Sequence, residues 1–266
     1  MISDSMTGPY PLVREVLGDS YGDAERFDLT HGWTAMVVPD PGRSLPGSTK
    51  DAIYQALVPV SSASFGADMT EYWRDRSTHD YFGRLAEFVT IADDEGRMVG
   101  WTGHSVLDSD WGVNVYIDSS GVVPSGQSRG VMRTVMTRRL TQGVLALFGD
   151  RERLFISARS ESPVFYKLMR GIVGADHLFP HPDLRLPADV LRCGRELALW
   201  LNQAALMEAD SLVIRNAYAV LEELYAELPS TGDAALDRMF RNSLGPLDAY
   251  LLVGVASGPG QRVSAL

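Results

Sequence analysis

The feature that most limits what this chain can fold into is the run from Val113 to about Ile172. It reads strand, turn, helix, strand, helix. "VNVYID" (113–118) alternates, with Val113, Val115 and Ile117 on one face and Asn114, Tyr116 and Asp118 on the other. Ser119-Ser120-Gly121 breaks the pattern, Pro124 follows, and Val131, Met132, Val135, Met136, Leu140, Val144 and Phe148 then recur at helical spacing. "RLFISARS" (153–160) is a second strand and "SPVFYKLMRGI" (162–172) a second helix, with Pro163 tolerated in its first turn. A helix between two strands of one sheet is a crossover, and it forces a parallel pair.

The flanking segments set the rest of the sheet. "GWTAMVVPD" (32–40) is a short strand, after an irregular arm through residue 31. Ser48 and Asp51 resemble a capping box opening a helix to about Ala63, and a second helix spans about 68–86. "EFVTIADDEGRMVGWTGHSVL" (87–107) is a hairpin turning at Asp94-Glu95-Gly96. A helical block fills about 176–245, with 188–228 strongly helical, and "AYLLVGVAS" (249–257) closes the chain as a strand. The expected architecture is one mixed α/β domain over 32–266, with a mostly antiparallel sheet and one central crossover.

Composition narrows the function. Twenty-four basic against 34 acidic residues give a net charge of −10, which disfavours a nucleic-acid partner. The single cysteine, Cys193, excludes an internal disulfide and a cysteine metal cluster. No secretory signal opens the chain and no apolar run is long enough for a membrane span, so the expectation is cytoplasmic. Lysine occurs only at Lys50 and Lys167, a bias associated with GC-rich bacterial genomes.

Against this acidic background, residues 119–149 hold four arginines and no acid, so the remainder carries −14. A basic helix behind a glycine-containing turn suits an anion. Its first amides lack partners, and the helix dipole adds about half a positive charge. Gln127, Ser128, Arg129, Gly130, Val131 and Met132 would supply those amides. Arg129 and Arg133, four apart, would share a face toward a pyrophosphate. A solvated basic helix face is the competing reading.

The same stretch, "VVPSGQSRGVM", resembles the acyl-CoA-binding signature of the GNAT superfamily of N-acyltransferases, V-x-P-x-x-[QR]-x-x-G-x-[GA]. Val122, Pro124, Gln127 and Gly130 match; Met132 departs, and Ser128 replaces a further glycine often present. "FISARSESPVFYKLM" is similar to the family's next strand and helix. The resemblance implies an acetyl-CoA or other short acyl-CoA donor, no metal, and direct attack by an amine on the thioester. It implies an amide of Val122 or Val123 polarising the carbonyl, and Tyr166 returning a proton to the thiolate. For the base that deprotonates the amine, Asp118 at the end of the strand's polar face is the first candidate and His104 the second; a turn residue and a half-buried strand histidine are the bland alternatives. Tyr116 would help shape the cleft.

The acceptor expected is a small-molecule amine. Two other readings stay open: a GNAT scaffold using an acyl-carrier-protein donor or another thioester reaction, and a non-catalytic acyl-CoA-binding module. The apolar stripe from Leu197 to Tyr225 is core, pocket wall, or the seam of a homodimer formed through the C-terminal helices. "GRSLPGSTK" (42–50) lacks the lysine of a phosphate loop, and prolines separate His177 from His181. "GPGQRV" near the end precedes no helix.

Overall fold

The computed structural model describes residues 10–110, 112–144 and 153–256; Phe148 and "GPGQRV" lie outside them. Nine strands pair in the order β1-β2-β3-β4-β5-β6-β9-β7, with β8 also on β9. β5 pairs with β6 in parallel, while β1-β2, β2-β3, β3-β4, β6-β9, β7-β9 and β8-β9 are antiparallel, so the mixed sheet and its parallel crossover are present. The chain packs as two compact units, one running to Ser105 and including Asp118–Val135, the other holding Val106–Ile117 and the chain from Met136.

The first unit opens with α1 (Val13–Leu17) and β1 (Glu25–Asp28), which pairs with β2 (Thr34–Pro39). The expected irregular arm is therefore part of the sheet. "ERFD" escapes a sequence reading because Phe27 is its one apolar residue, yet Phe27 is buried opposite Ala35. After α2 (Pro41–Ser44), α3 (Gly47–Phe65) begins without the expected capping box. Pro46 is its N-cap, and Lys50 donates to the Pro46 carbonyl at 3.0 Å, which puts Ser48 inside the first turn. The second helix, α4, covers Thr70–Thr78 only.

β3 (Glu87–Ala92) and β4 (Met98–Ser109) form the expected hairpin. Asp93 builds its turn: Oδ1 accepts the amides of Glu95 and Arg97, and Oδ2 accepts Arg97 Nε. Trp73 of α4 joins helix to sheet, donating from Nε1 to Ser61 Oγ at 2.8 Å and meeting Trp101 of β4 edge-on. The unit closes with the last residues of β5 (Gly112–Val122) and with α5 (Val131–Met136) as far as Val135; past α5 the helix widens into a π-helical stretch over Thr137–Val144.

The second unit is organised around its last strand. β9 (Ala249–Ala256) pairs with β6 (Leu154–Ser160), β7 (Leu178–Phe179) and β8 (Val213–Ile214). Gly254 lets α6 (Pro163–Val173) lie close, since a Cβ there would stand 2.8 Å from Val173 Cγ1. Ser162 caps α6, accepting the Phe165 amide at 3.2 Å. The expected long helix over 188–228 is corrected. α7 (Ala188–Trp200) stops before Asn202, which takes a φ of 57°, and the chain continues through a 3-10 turn (Ala204–Leu206), β8 and further turns until α8 (Ala234–Ser243). Leu212, Val213 and Ile214 are apolar for β9's sake: two of them pair with it and all three are buried.

Candidate acyl-donor site

The parallel pairing of β5 with β6 runs from Val113↔Leu154 to Ile117↔Ala158 and stops, although β5 continues to Val122. The next two side chains are both held by hydrogen bonds. Asp118 Oδ1 accepts Arg76 Nη1 at 2.8 Å, and Ser119 Oγ accepts Trp101 Nε1 at 3.0 Å. Arg76 and Trp101 both pack around Trp73, with Arg76 Cζ 6.0 Å and the Trp101 ring 5.9 Å from its ring.

Beyond the end of β5, Val123 N–H donates to the Val99 carbonyl of β4 at 2.9 Å. Its amide is spent on the sheet, which corrects the expectation that Val123 could serve as oxyanion donor. Strand amides alternate between edges, so Val122 N–H turns away from β4. Val122's carbonyl is held twice, by Ser64 Oγ at 2.9 Å and Gln127 Nε2 at 3.1 Å.

The loop to α5 is tighter than its sequence suggests. Pro124–Gly126 form a 3-10 turn, Gln127 N–H donates to the Pro124 carbonyl at 3.2 Å, and Ser128 and Gly130 have φ of 63° and 74°. A Cβ on Gly126 would stand 2.6 Å from Trp33 Cη2, whereas Gly130 faces open space and is needed for its φ alone. Gly130's carbonyl accepts the Thr134 amide at 2.9 Å, so the helix opens there. Val131, Met132 and Arg133 therefore present the first helical amides, and Gln127's is already committed. Arg129 precedes the helix, its guanidinium carbon 5.9 Å from the Trp33 ring, so it does not share a helical face with Arg133 as expected. Arg129 and Arg133 are both exposed and Met132 is half-buried.

The two base candidates differ. His104 is buried with both ring nitrogens occupied: Nδ1 lies 3.0 Å from Glu87 Oε1 and Nε2 lies 3.1 Å from Thr102 Oγ1. Asp118 keeps one oxygen, Oδ2, buried without a hydrogen-bond partner. Its ion pair is enclosed, with Asp118's side chain 2% and Arg76's 12% exposed. Arg76 Cζ sits 4.6 Å from the Tyr72 ring and 4.9 Å from Tyr81. Burial, and secondarily the Asp118 charge, pushes the Tyr81 hydroxyl well above the usual phenol range. The sequence offered no signal for Arg76, which lies 42 residues from its partner.

Tyr166 lies in the second unit, on α6. Its ring is fully buried edge-on to Phe240, and its hydroxyl donates to the Pro180 carbonyl at 3.0 Å. Burial pushes its pKa up to about 12. The geometry is that of a packing tyrosine whose one proton is already committed. Tyr116 is buried against Trp200. Among the described residues no group of three or more His, Cys, Asp or Glu can hold a metal ion, and no helix is long and apolar enough to cross a membrane.

No family model matches the chain, and no curated protein does. Solved structures do. The ribosomal-protein-S18-alanine N-acetyltransferase from Escherichia coli is 13% identical, over 87% of this chain and 99% of that one, with a TM-score of 0.40. The ribosomal-protein-S5-alanine acetyltransferase from Vibrio fischeri is 11% identical, over 56% and 81%, at 0.35. A GNAT family N-acetyltransferase from Escherichia coli, in complex with CoA, is 16% identical, over 54% and 70%, at 0.33. The chain is similar to these three N-acetyltransferases, and at such identities and TM-scores the similarity assigns it neither an activity nor a substrate.

Proposed function

We propose that the protein transfers an acetyl or other short acyl group from acyl-CoA to the primary amine of a small molecule. The observation that supports this best is the backbone from the end of β5 to α5, where a signature-like sequence coincides with the free amides that open the helix. When bound, acyl-CoA supplies an activated thioester carbonyl. Val122 N–H donates to that carbonyl as charge develops on it. The amides of Val131, Met132 and Arg133, with the side chains of Arg129 and Arg133, hold the pyrophosphate.

An alkyl amine has a pKa of about 10 and must lose a proton to attack. Asp118 takes it at Oδ2, the buried oxygen that Arg76 does not bond and that binding of the substrates must uncover, while His104 has neither nitrogen to offer. The ion pair with Arg76 fixes the carboxylate's orientation.

Thermal unfolding with CoA, acetyl-CoA, longer acyl-CoAs and ATP at matched concentrations tests the donor site. A ligand at a hundred times its Kd adds about 2.7 kcal/mol of stability. Acyl-CoA, and not ATP, is expected to raise the midpoint, with the shift lost in Gly130→Glu. No shift with any CoA species removes the reading. Given donor binding, Asp118→Asn is expected to lower kcat by about 10²–10⁴-fold with the donor affinity retained.

A further inference from the structure

The end of α3 reaches the end of β5. Ser64, in the last turn of α3, donates from Oγ to the Val122 carbonyl at 2.9 Å. Gln127 joins the same two elements, its Nε2 donating to the Val122 carbonyl at 3.1 Å and to the Ser64 carbonyl at 3.2 Å. Gly121 makes room for the contact, since a Cβ there would stand 2.7 Å from Ser64 Oγ and 2.4 Å from Trp101 Cη2.

Helix-end capping accounts for one of these bonds. The Ser64 carbonyl belongs to the last turn of α3, where carbonyls lack helical partners, and Gln127 Nε2 supplies one. It does not account for the two donors spent on Val122, whose carbonyl belongs to a strand.

Those two donors fix a peptide plane. The N–H of the Val122–Val123 peptide donates to Val99 at 2.9 Å, and its carbonyl, which a trans peptide points the opposite way, is held by Ser64 and Gln127. The plane is therefore gripped from both sides. Its carbonyl lies on the edge away from β4, the edge to which the Val122 N–H also turns and along which β6 stops pairing at Ile117. Left bare, the negative end of that carbonyl would oppose charge developing on a thioester oxygen at the neighbouring N–H. Two donors offset that dipole, and the fixed plane keeps the Val122 N–H aimed before any ligand arrives.

We infer that Ser64 is a positioning residue for the acyl-donor site, acting with the Gln127 side chain through the Val122 peptide to set the oxyanion donor. The inference rests on the acyl-transfer reading. It gives a role in that site to a side chain 58 positions before Val122 in sequence.

Infrared difference spectroscopy of the full chain with acetyl-CoA isotope-labelled at the acetyl carbonyl tests it, because a hydrogen bond to that oxygen lowers its stretching frequency. The parent protein is expected to lower the stretch relative to free acetyl-CoA. Ser64→Ala should lose most of that shift, and Ser64→Thr, which keeps a hydroxyl, should retain it. The calorimetric Kd for CoA, which carries no acyl group, should be the same in all three. Gln127→Leu, at an exposed position, should lose part of the shift, and it carries the test if circular dichroism finds Ser64→Ala unfolded. A stretch as low in Ser64→Ala and Gln127→Leu as in the parent marks these bonds as packing and overturns the inference alone. So does a loss of CoA affinity that Ser64→Thr fails to restore. No binding of acetyl-CoA by the parent overturns the acyl-transfer reading and this inference with it.

Discussion

Glu161 follows β6 directly and precedes the α6 cap Ser162, and it is buried with Oε2 unpartnered. Burial, reinforced by the Asp248 charge, pushes its carboxyl up to about 8 from an ordinary 4.5. The consequence for stability has a definite sign. Below pH 4.5 both folded and unfolded chains carry the proton, and the group contributes nothing. Between about 4.5 and about 8 the folded chain keeps a proton that the unfolded chain has lost, so stability falls as pH rises, by about 1.4 kcal/mol per unit. Above about 8 the full penalty is present and constant. Glu161→Gln removes the titration and nearly preserves the shape, at a pH-independent cost for the new amide. Urea unfolding of parent and variant at half-unit steps from pH 5 to 7.5 should show the variant gaining on the parent by about 3 kcal/mol across that window. Every other titrating group cancels in the difference. A difference that stays flat, or moves in the parent's favour, refutes the argument that this carboxyl is held protonated by its surroundings.

Other outcomes follow from single contacts. Arg76→Met strands a buried carboxylate and should cost about 3–5 kcal/mol in urea unfolding, with part recovered when Asp118→Asn is added. Gly126→Ala drives a Cβ toward Trp33 and Val122 and should cost about 1–3 kcal/mol, and should shrink the thermal-unfolding shift that acyl-CoA produces. Tyr166→Phe gives up one hydrogen bond to Pro180, worth about 1 kcal/mol, and should leave turnover unchanged. Loss of a general acid would instead cost about 10²–10⁴-fold in kcat.

Much of the sheet could be read from local pattern because its strands alternate or run apolar between clear breaks. The hairpin at Asp93–Gly96, the crossover from β5 to β6 and the strand at 249–256 each carry their own signal. Segments whose form is set by distant partners did not. β1 depends on β2 for its identity, and residues 201–230 hold apolar side chains at spacings that mimic a helix while serving β9 and its neighbours. At the candidate site the loop's composition was legible and its geometry was not. Nothing local to Val123 tells that Val99 takes its amide, and nothing near His104 tells that Glu87 and Thr102 fill its ring. Asp118 and Ser119 look like the end of an alternating strand; nothing near them tells that Arg76 and Trp101 hold their side chains.

The place of β9 has a consequence for how the protein is made. Synthesis delivers β6 early and the strand that covers its edge nearly a hundred residues later, Ile156 meeting Gly254. In that interval "LFISA" displays unpaired backbone along an apolar run, an edge open to any strand nearby. β7 and β8, two residues each, find their partner only when β9 arrives. Closure of this half of the sheet is thus a late, long-range event, slow by its loop entropy, and a chain interrupted before Ala249 is left with a sticky edge rather than a smaller protein.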